Sequence, residues 1–220
     1  MAEDRELFEK IAEGLTGIRR LYRGIGLIKS AYSYIGWLIP LSITLILQNI
    51  KPLAENRHLL TLLVIGVWLV SIPIIFIVFD RVFKRITLYA QTLGFRKVMG
   101  RWTGIMPLIA WFIAWIAPNL IYSALREYAG INFSEDMMGA LIVLTALLIG
   151  VFSLALWEHH YYGVKISYVP ATILSATLLL LFIAPITSPW NIAYGGIFLS
   201  YSVAVTLYIH QGLKIITDRH

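Results

Sequence analysis

The stretch that decides the fold class is Met137–Trp157, which reads MMGALIVLTALLIGVFSLALW and contains no charged residue. A helix of these 21 residues is about 32 Å long, because each residue adds about 1.5 Å. The hydrocarbon core of a membrane is about 30 Å thick, so one such helix crosses it. The apolar residues are continuous, without the alternation of a barrel strand. The stretch therefore predicts a transmembrane helix.

Further uncharged runs lie on both sides of this stretch. Residues 30–50, 59–79 and 102–125 form runs of 21, 21 and 24 residues. The last run, 166–213, has 48 residues and is divided by a turn signal with two prolines and a tryptophan at 185–191. We therefore predict an all-α integral membrane protein, a six-helix transmembrane bundle in a domain at 30–213, with an N-terminal amphipathic helix. The predicted spans are about 31–50, 59–79, 102–125, 137–157, 166–186 and 192–213.

The composition supports the same class. Hydrophobic residues make up 59% of the 220 residues and charged residues 14%, against roughly 45–50% and 25% in soluble domains. A soluble chain of this size has too much surface for its volume to bury so many apolar residues. There is no cysteine, which excludes disulfides, cysteine-ligated zinc and a thiolate nucleophile. The first residues are acidic where a signal peptide is basic, so we expect the first span to be a permanent anchor.

The basic residues predict the orientation. With a cytoplasmic N-terminus, 15 of the 18 Lys and Arg residues fall on the cytoplasmic side, in segments 1–29, 80–101, 158–165 and 214–220. Only Lys51, Arg57 and Arg126 fall outside. This asymmetry favours six spans in a cell membrane, with both termini on the cytoplasmic side. We expect a prokaryotic source. It also accounts for the net charge of +6, so we expect no nucleic-acid partner.

Segment 1–29 is the predicted amphipathic helix. Its apolar residues recur every three or four positions, as on one face of a helix. We expect Gly14, Gly17, Gly24 and Gly26 to break this helix before the first span. Two interpretations stay open: the helix lies on the membrane surface, or it docks a partner.

Segment 80–101 is predicted to be a basic helical hairpin that turns near Gly94. Anchoring by positive charge explains it without a ligand. The alternative is docking on an acidic groove of a soluble partner. The candidate docking residues are Arg81, Lys84, Arg85, Arg96, Lys97 and Arg101.

Signals for chemistry are few. No Asp, Glu, Lys or Arg lies within a predicted span, which disfavours proton- or cation-coupled transport. Glu158, His159 and His160 follow span four, but adjacent histidines point about 100° apart on a helix, so we interpret them as an interfacial polar belt and not as metal ligands. Pairing of Ser153 with His210 for nucleophilic catalysis is not supported by any motif. We therefore expect no catalytic, cofactor or metal site, and a protein that is not an enzyme.

Small residues at four-residue spacing predict close helix packing. The candidates are Gly196, Ser200 and Ala204 in span six, Ala146 and Gly150 in span four, and Ala171 and Ser175 in span five. Tyr194, Tyr201 and Tyr208 recur every seven residues. This tyrosine series lines a polar path or, as we favour, makes hydrogen bonds between helices. Prolines predict kinks in spans one, two, three and five: Pro40, Pro73, Pro107, Pro118 and Pro170.

The layout as a whole resembles the membrane subunits of ABC-2-type ABC exporters. The shared features are an amphipathic N-terminal helix (Leu7–Ile25), two spans, a basic cytoplasmic loop (Arg81–Arg101) and four more spans. The resemblance implies that the loop is a coupling element for a cytosolic ATPase and that subunits pair around a substrate path. The family also has re-entrant helices between spans five and six, for which Thr187–Asn191 is too short.

Two functional hypotheses follow. In the first, the chain is a multi-pass, permease-like subunit that moves a hydrophobic or amphipathic substrate with a separate cytosolic ATPase. In the second, it is a non-catalytic structural or anchor subunit of a larger membrane complex. Both hypotheses place it in the lipid bilayer as part of a homo- or hetero-oligomer.

Overall fold

The computed structural model describes residues 2–50, 52, 56–92, 101–183 and 188–217. These residues form six main helices, and no strand occurs among them, which confirms the all-α prediction. The helices are α1 (Ala2–Asn49), α2 (Arg57–Thr92), α3 (Arg101–Tyr128), α4 (Glu135–Tyr162), α5 (Tyr168–Ile183) and α6 (Pro189–Thr217). The predicted turn near Gly94 lies outside the described residues.

Five of these helices are long and apolar enough to cross a membrane, namely α1, α2, α3, α4 and α6. Helix α5 is equally apolar but has only 16 residues, a length of about 24 Å. It begins at Tyr168, two residues later than the predicted span, so Pro170 lies in its first turn. A proline in the first turn does not interrupt a helical hydrogen bond, and the predicted kink at this position is wrong.

The core of the bundle lies between α1, α4, α5 and α6. Helix α2 packs against α1, and α3 packs against α4. The Trp37 ring on α1 joins the two outer helices: its centroid is 5.6 Å from that of Trp68 on α2 and 5.8 Å from that of Trp111 on α3. The outward face of α2 is apolar and exposed, with Leu62 and Leu69 each 68% accessible.

Helix α1 is continuous over 48 residues, so the predicted break at its glycines is wrong. Gly24 packs against Gly212 of α6. A Cβ atom on Gly24 would lie 2.7 Å from the Gly212 carbonyl oxygen, and one on Gly212 would lie 2.8 Å from the Gly24 carbonyl oxygen. Glycine costs a helix about 1 kcal/mol per residue relative to alanine. The stabilisation from close packing of the two backbones outweighs this cost.

Local capping fixes both ends of α4. The Ser134 hydroxyl accepts a hydrogen bond from the Met137 amide, and Glu135 and Asp136 follow in the first turn, where negative charge is favourable. At the other end, Gly163 has φ 63° and its amide donates to the His159 carbonyl oxygen. This left-handed residue, which favours glycine, starts the short turn of residues 163–167 before α5.

Candidate functional site

Glu158 is a fully buried carboxyl group near the end of α4. It is 0% accessible, whereas its neighbour His160 is exposed. Among the side chains that the structure describes, it is the only buried residue of the types Asp, Glu, Lys and Arg. Burial of a charged side chain costs several kcal/mol unless other groups compensate for the lost water. The contacts of Glu158 therefore decide what this part of the bundle does.

Three hydroxyl groups donate hydrogen bonds to this carboxyl group. Ser30 Oγ donates to Glu158 Oε1 over 2.5 Å. Ser167 Oγ donates to Glu158 Oε2 over 2.6 Å, and the Tyr208 hydroxyl donates to the same oxygen. The two lengths are those of hydrogen bonds between a hydroxyl and a carboxylate. We call Glu158, Ser30, Ser167 and Tyr208 the Glu158 cluster.

The Glu158 cluster joins four parts of the chain. Glu158 belongs to α4, Ser30 to α1, Tyr208 to α6, and Ser167 immediately precedes α5. Ser167 and Tyr208 are both fully buried. A shift of any one of these elements against the others must break or rearrange a hydrogen bond to the carboxyl group.

A tyrosine layer lies next to the cluster. The Tyr34 ring meets that of Tyr201 edge to face at 5.1 Å, and its centroid is 5.6 Å from that of Tyr208. The Tyr34 hydroxyl is buried and has no hydrogen-bond partner. An unpaired buried hydroxyl costs roughly 1–3 kcal/mol, so it is the least satisfied polar group beside the cluster.

The close crossing of α1 and α6 brings Ser30 and Tyr208 to the same carboxyl group. Ser30 is six residues after Gly24, and Tyr208 is four residues before Gly212, so the glycine contact lies one to two turns from the cluster. Because neither glycine has a Cβ atom, the two backbones meet there. Tyr34 follows Ser30 by one turn and shares its face of α1.

Two nitrogen atoms at the edge of the site also lack partners. Arg23 Nε and His159 Nδ1 are both buried without a hydrogen bond. The Arg23 guanidinium lies beside the helix end at Gly163, where a Cβ atom would be 3.2 Å from one of its nitrogens. The His159 ring packs on Tyr168 at 5.6 Å.

The predicted tyrosine series lies on the side of α6 that faces α1. Tyr201 and Tyr208 are fully buried. Tyr194 is half-buried, stacks on Trp190 at 5.4 Å, and accepts a hydrogen bond of 3.1 Å from Gln48 Nε2 of α1. Two of the three tyrosines thus receive or donate a hydrogen bond between helices, as the favoured interpretation of the series expected.

The predicted small residues lie at several contacts of the bundle. In α6, Gly196 faces Thr177 of α5, and the Ser200 hydroxyl donates to the Pro170 carbonyl oxygen over 2.9 Å. In α4, a Cβ atom on Gly150 would lie 2.7 Å from the Trp111 ring of α3. Three more of the small residues, Ala146, Ala171 and Ala204, are buried. Ser175 is half-buried and donates to the carbonyl oxygen of Ala171 in its own helix.

The candidate docking residues are described only in part. Arg81 and Lys84 are exposed near the end of α2. Arg85 lies in α2, and Arg101 is the first residue of α3. Arg96 and Lys97 lie outside the described residues. The structure therefore brings together no complete docking surface from this set.

The weaker chemical candidates are not brought together. The Ser153 hydroxyl donates to the Ile149 carbonyl oxygen of its own helix, and His210 is exposed. In the part of the chain that the structure describes, no three residues of the types His, Cys, Asp and Glu are arranged to hold a metal ion. The site is thus defined by one carboxyl group and hydroxyl groups.

The predicted span ends at Trp157, one residue before Glu158, so this site lies outside the sequence prediction. A signal was available in the pattern of α4. Its buried positions recur every three or four residues, and Glu158 is the next position in that series. The buried members are Ala140, Leu144, Leu147, Val151, Ala155 and Glu158.

Comparisons of this chain with protein-family models, with curated proteins and with solved structures found no match. Function is therefore inferred from the residues and their geometry.

Proposed function

We propose that this chain is a permease-like, multi-pass subunit of a cell membrane, with both termini in the cytoplasm. Five helices of sufficient length and apolarity, together with the apolar α5, support the membrane placement. The asymmetry of the basic residues supports the orientation. In this orientation the Glu158 cluster lies toward the cytoplasmic ends of α4 and α6.

The observation that carries the proposal is the buried carboxyl group of Glu158. Ionisable residues within membrane helices are rare and are associated with substrate or ion pathways, because their burial is costly. An apolar side chain of similar volume packs such a position at no loss of stability in many proteins. The carboxyl group is held instead by three hydroxyls from three other parts of the chain, an arrangement that responds to helix movement.

This arrangement revises one inference from the sequence. Coupling to an ion was disfavoured because no ionisable residue lay within a predicted span. The helix that crosses the apolar region runs from Glu135 to His160 and includes Glu158. The energy for transport then comes from an ion gradient, from a cytosolic ATPase docked at the basic 81–101 segment, or from both.

A reconstitution experiment tests the proposal. The chain is purified in mild detergent, and native mass spectrometry identifies any nucleotide-binding subunit that accompanies it. Flux of a fluorescent amphipathic cation and of a fluorescent anionic lipid is then measured in proteoliposomes, with ATP or with an ion gradient. We expect flux in the native protein and a loss of at least tenfold in Glu158→Gln, with Ser153→Ala unchanged as the matched control. Absence of flux under every driving force contradicts a permease role.

A second candidate function is supported by the outer helices. The apolar window of α2 contains no buried residue in the single chain, so its apolar faces have room for neighbouring subunits. In this alternative the chain is a structural or anchor subunit. It predicts that membrane proteins co-purify with the chain and that Leu62→Asn together with Leu69→Asn releases them. Retention of every partner by this double variant contradicts it.

A further inference from the structure

The geometry of the Glu158 cluster indicates which kind of ion the cluster is suited to bind. We propose that the cluster is a proton-binding site, in which Glu158 takes up and releases one proton during movement of α1 and α6 against α4. This inference rests on the proposed membrane placement, but it does not depend on which substrate is moved.

The distances in the cluster are too short for a metal ion. Oxygen ligands lie about 2.0–2.1 Å from Mg²⁺ in octahedral geometry and 2.3–2.6 Å from Ca²⁺, which separates neighbouring oxygens on Mg²⁺ by about 2.9 Å. Here the oxygens of Ser30 and Ser167 lie 2.5 and 2.6 Å from the carboxyl oxygens. Each of these hydroxyls points its proton at the carboxyl group and leaves no space for a cation. A proton fits between these oxygens at the distances shown, whereas Mg²⁺ or Ca²⁺ would require them to move apart.

The hydrogen bonds also indicate what proton uptake changes. The unprotonated carboxylate accepts from Ser30, Ser167 and Tyr208. When Oε2 takes a proton from hydronium, water is released, and the new O–H group must donate to an acceptor. The Tyr208 hydroxyl then accepts this bond and turns its own proton toward Tyr34, whose hydroxyl is buried without a partner and whose ring lies 5.6 Å away.

Two histidines directly follow Glu158 in α4. The adjacent His159 is half-buried with Nδ1 unpaired, and the next residue, His160, is exposed. Imidazole groups are common proton carriers because they exchange protons near neutral pH. In the proposed orientation both imidazoles lie at the cytoplasmic end of α4, which makes them candidates for passing a proton toward Glu158.

Other charged and titratable groups surround the site on each element. Helix α1 contributes Arg23 and Tyr34, α6 contributes Tyr201 and Tyr208, and α4 contributes His159; Lys165 is exposed on the turn before α5. The structure shows no salt bridge between Arg23 or Lys165 and the carboxyl group. The contacts that the described residues make with the carboxyl group come from hydroxyl groups, so uptake of a proton removes the charge from the cluster.

Protonation then weakens the connection between the helices. Hydrogen bonds to a charged group are roughly twice as strong as those between neutral groups. Loss of the charge therefore loosens Ser30 of α1 and Tyr208 of α6 from α4 together. This couples the proton to the relative position of the helices.

Carbodiimide labelling tests the proton site directly. Dicyclohexylcarbodiimide reacts with protonated carboxyl groups in apolar surroundings, and peptide mass spectrometry locates the adduct. In vesicles containing the full chain, we expect labelling at Glu158 that decreases as pH rises and is unchanged by Na⁺ or Li⁺. The exposed Glu127 and Glu135 are internal controls, and Glu158→Gln must remove the adduct.

A second variant separates a proton site from a structural carboxyl group. Tyr208→Phe keeps the ring but removes one donor to the carboxylate, so we expect the labelling curve to move toward higher pH by about one unit. Protection by Na⁺ or Li⁺, labelling independent of pH, no labelling at any pH, or an unmoved curve in folded Tyr208→Phe each overturns the inference. Labelling as expected without any substrate flux supports the proton site and contradicts the permease role, so the two proposals fail separately.

Discussion

At the level of single residues, the hydrogen bonds of Glu158 determine what its replacement does. In Glu158→Ala, the hydroxyls of Ser30, Ser167 and Tyr208 all lose their acceptor. Ser167 and Tyr208 are fully buried, and each buried hydroxyl without a partner costs roughly 1–3 kcal/mol, so we expect the free energy of unfolding to fall by at least about 2 kcal/mol. Glu158→Gln retains one acceptor oxygen and should lose less. Thermal unfolding in detergent, followed by tryptophan fluorescence, measures both.

The matched control is Ser153→Ala in the same helix. The Ser153 hydroxyl donates only within α4, to the Ile149 carbonyl oxygen over 2.7 Å, so its removal should change stability by less than about 0.5 kcal/mol. If Glu158→Ala proved as stable as this control, the hydrogen bonds of the cluster would contribute nothing to the fold.

The sequence predicted the apolar positions of the helices better than the polar residues of the site. Charge-free runs located the helices, because a membrane excludes charge along the whole length of a span. By the same rule Glu158 was predicted to lie outside the span. A count of charges along the sequence does not show that hydroxyl groups from three distant parts of the chain compensate for one carboxyl group. Ser30 and Ser167 carried no signal of their own, because their role depends on which helices meet.

At the level of helices, the crossing of α1 and α6 at Gly24 and Gly212 is the contact most sensitive to added atoms. A methyl group on either glycine would meet the carbonyl oxygen of the other helix at 2.7–2.8 Å. We expect Gly24→Ala and Gly212→Ala each to lower the free energy of unfolding by about 1–3 kcal/mol, as overpacking does. They should also move the carbodiimide-labelling curve of Glu158 toward higher pH, since displacement of Ser30 removes one donor to the carboxylate.

Gly14 and Gly17 of the same helix provide the comparison. Nothing lies within 4 Å of a Cβ atom at either position, so Gly17→Ala should raise helix stability by up to about 1 kcal/mol. Equal effects of Gly17→Ala and Gly24→Ala on the unfolding temperature would argue against the close crossing.

The contact between α5 and α6 gives a further prediction for a pair of adjacent glycines. A Cβ atom on Gly196 would overlap the Thr177 side chain, whereas none of the atoms described lies within 4 Å of one on Gly195. We expect Gly196→Ala to destabilise the protein by about 1–3 kcal/mol and Gly195→Ala to be neutral or stabilising. Chemical denaturation in mixed micelles compares the two variants. The reverse order would show that α6 is rotated relative to the structure.

The predicted helix boundaries were wrong where contacts between helices outweighed the helix propensity of the local sequence. Four glycines in 26 residues of α1 predict a break, yet the helix continues because Gly24 is needed for contact with α6. The short α5 was also unexpected. Its apolar run continues beyond both ends, and the capping glycine at 163 and the turn before Tyr168 decide where it begins.

At the scale of the whole molecule, the absence of cysteine makes the proposed orientation easy to measure. Asn132, between α3 and α4, and Lys214, near the end of α6, are both exposed. We expect Asn132→Cys to react with a membrane-impermeant maleimide in intact cells, and Lys214→Cys to react only after the membrane is permeabilised. The native chain, which has no thiol, is the background control. Labelling of Lys214→Cys in intact cells would reverse the orientation.

The sequence predicts the class of the whole molecule better than its arrangement. Length and apolarity of the runs predict where the apolar helices lie, since these properties are local, although one of the six predicted spans corresponds to a helix of only 16 residues. They do not predict that α1 packs on α6, or that α2 and α3 lie at the edge. Those contacts depend on residues such as Gly24, Ser200 and Trp37, whose partners are far away in the chain.

The separation of the cluster residues along the chain has a consequence for biosynthesis. Glu158 is 128 residues after Ser30 and 50 residues before Tyr208. At about 5–20 residues per second, a ribosome adds Tyr208 roughly 2.5–10 s after Glu158. Throughout that interval the newly inserted helices contain a carboxyl group without its full set of donors. Addition of α6 is therefore the step that completes the cluster, and a chain arrested before it should be less stable to proteolysis than the full chain.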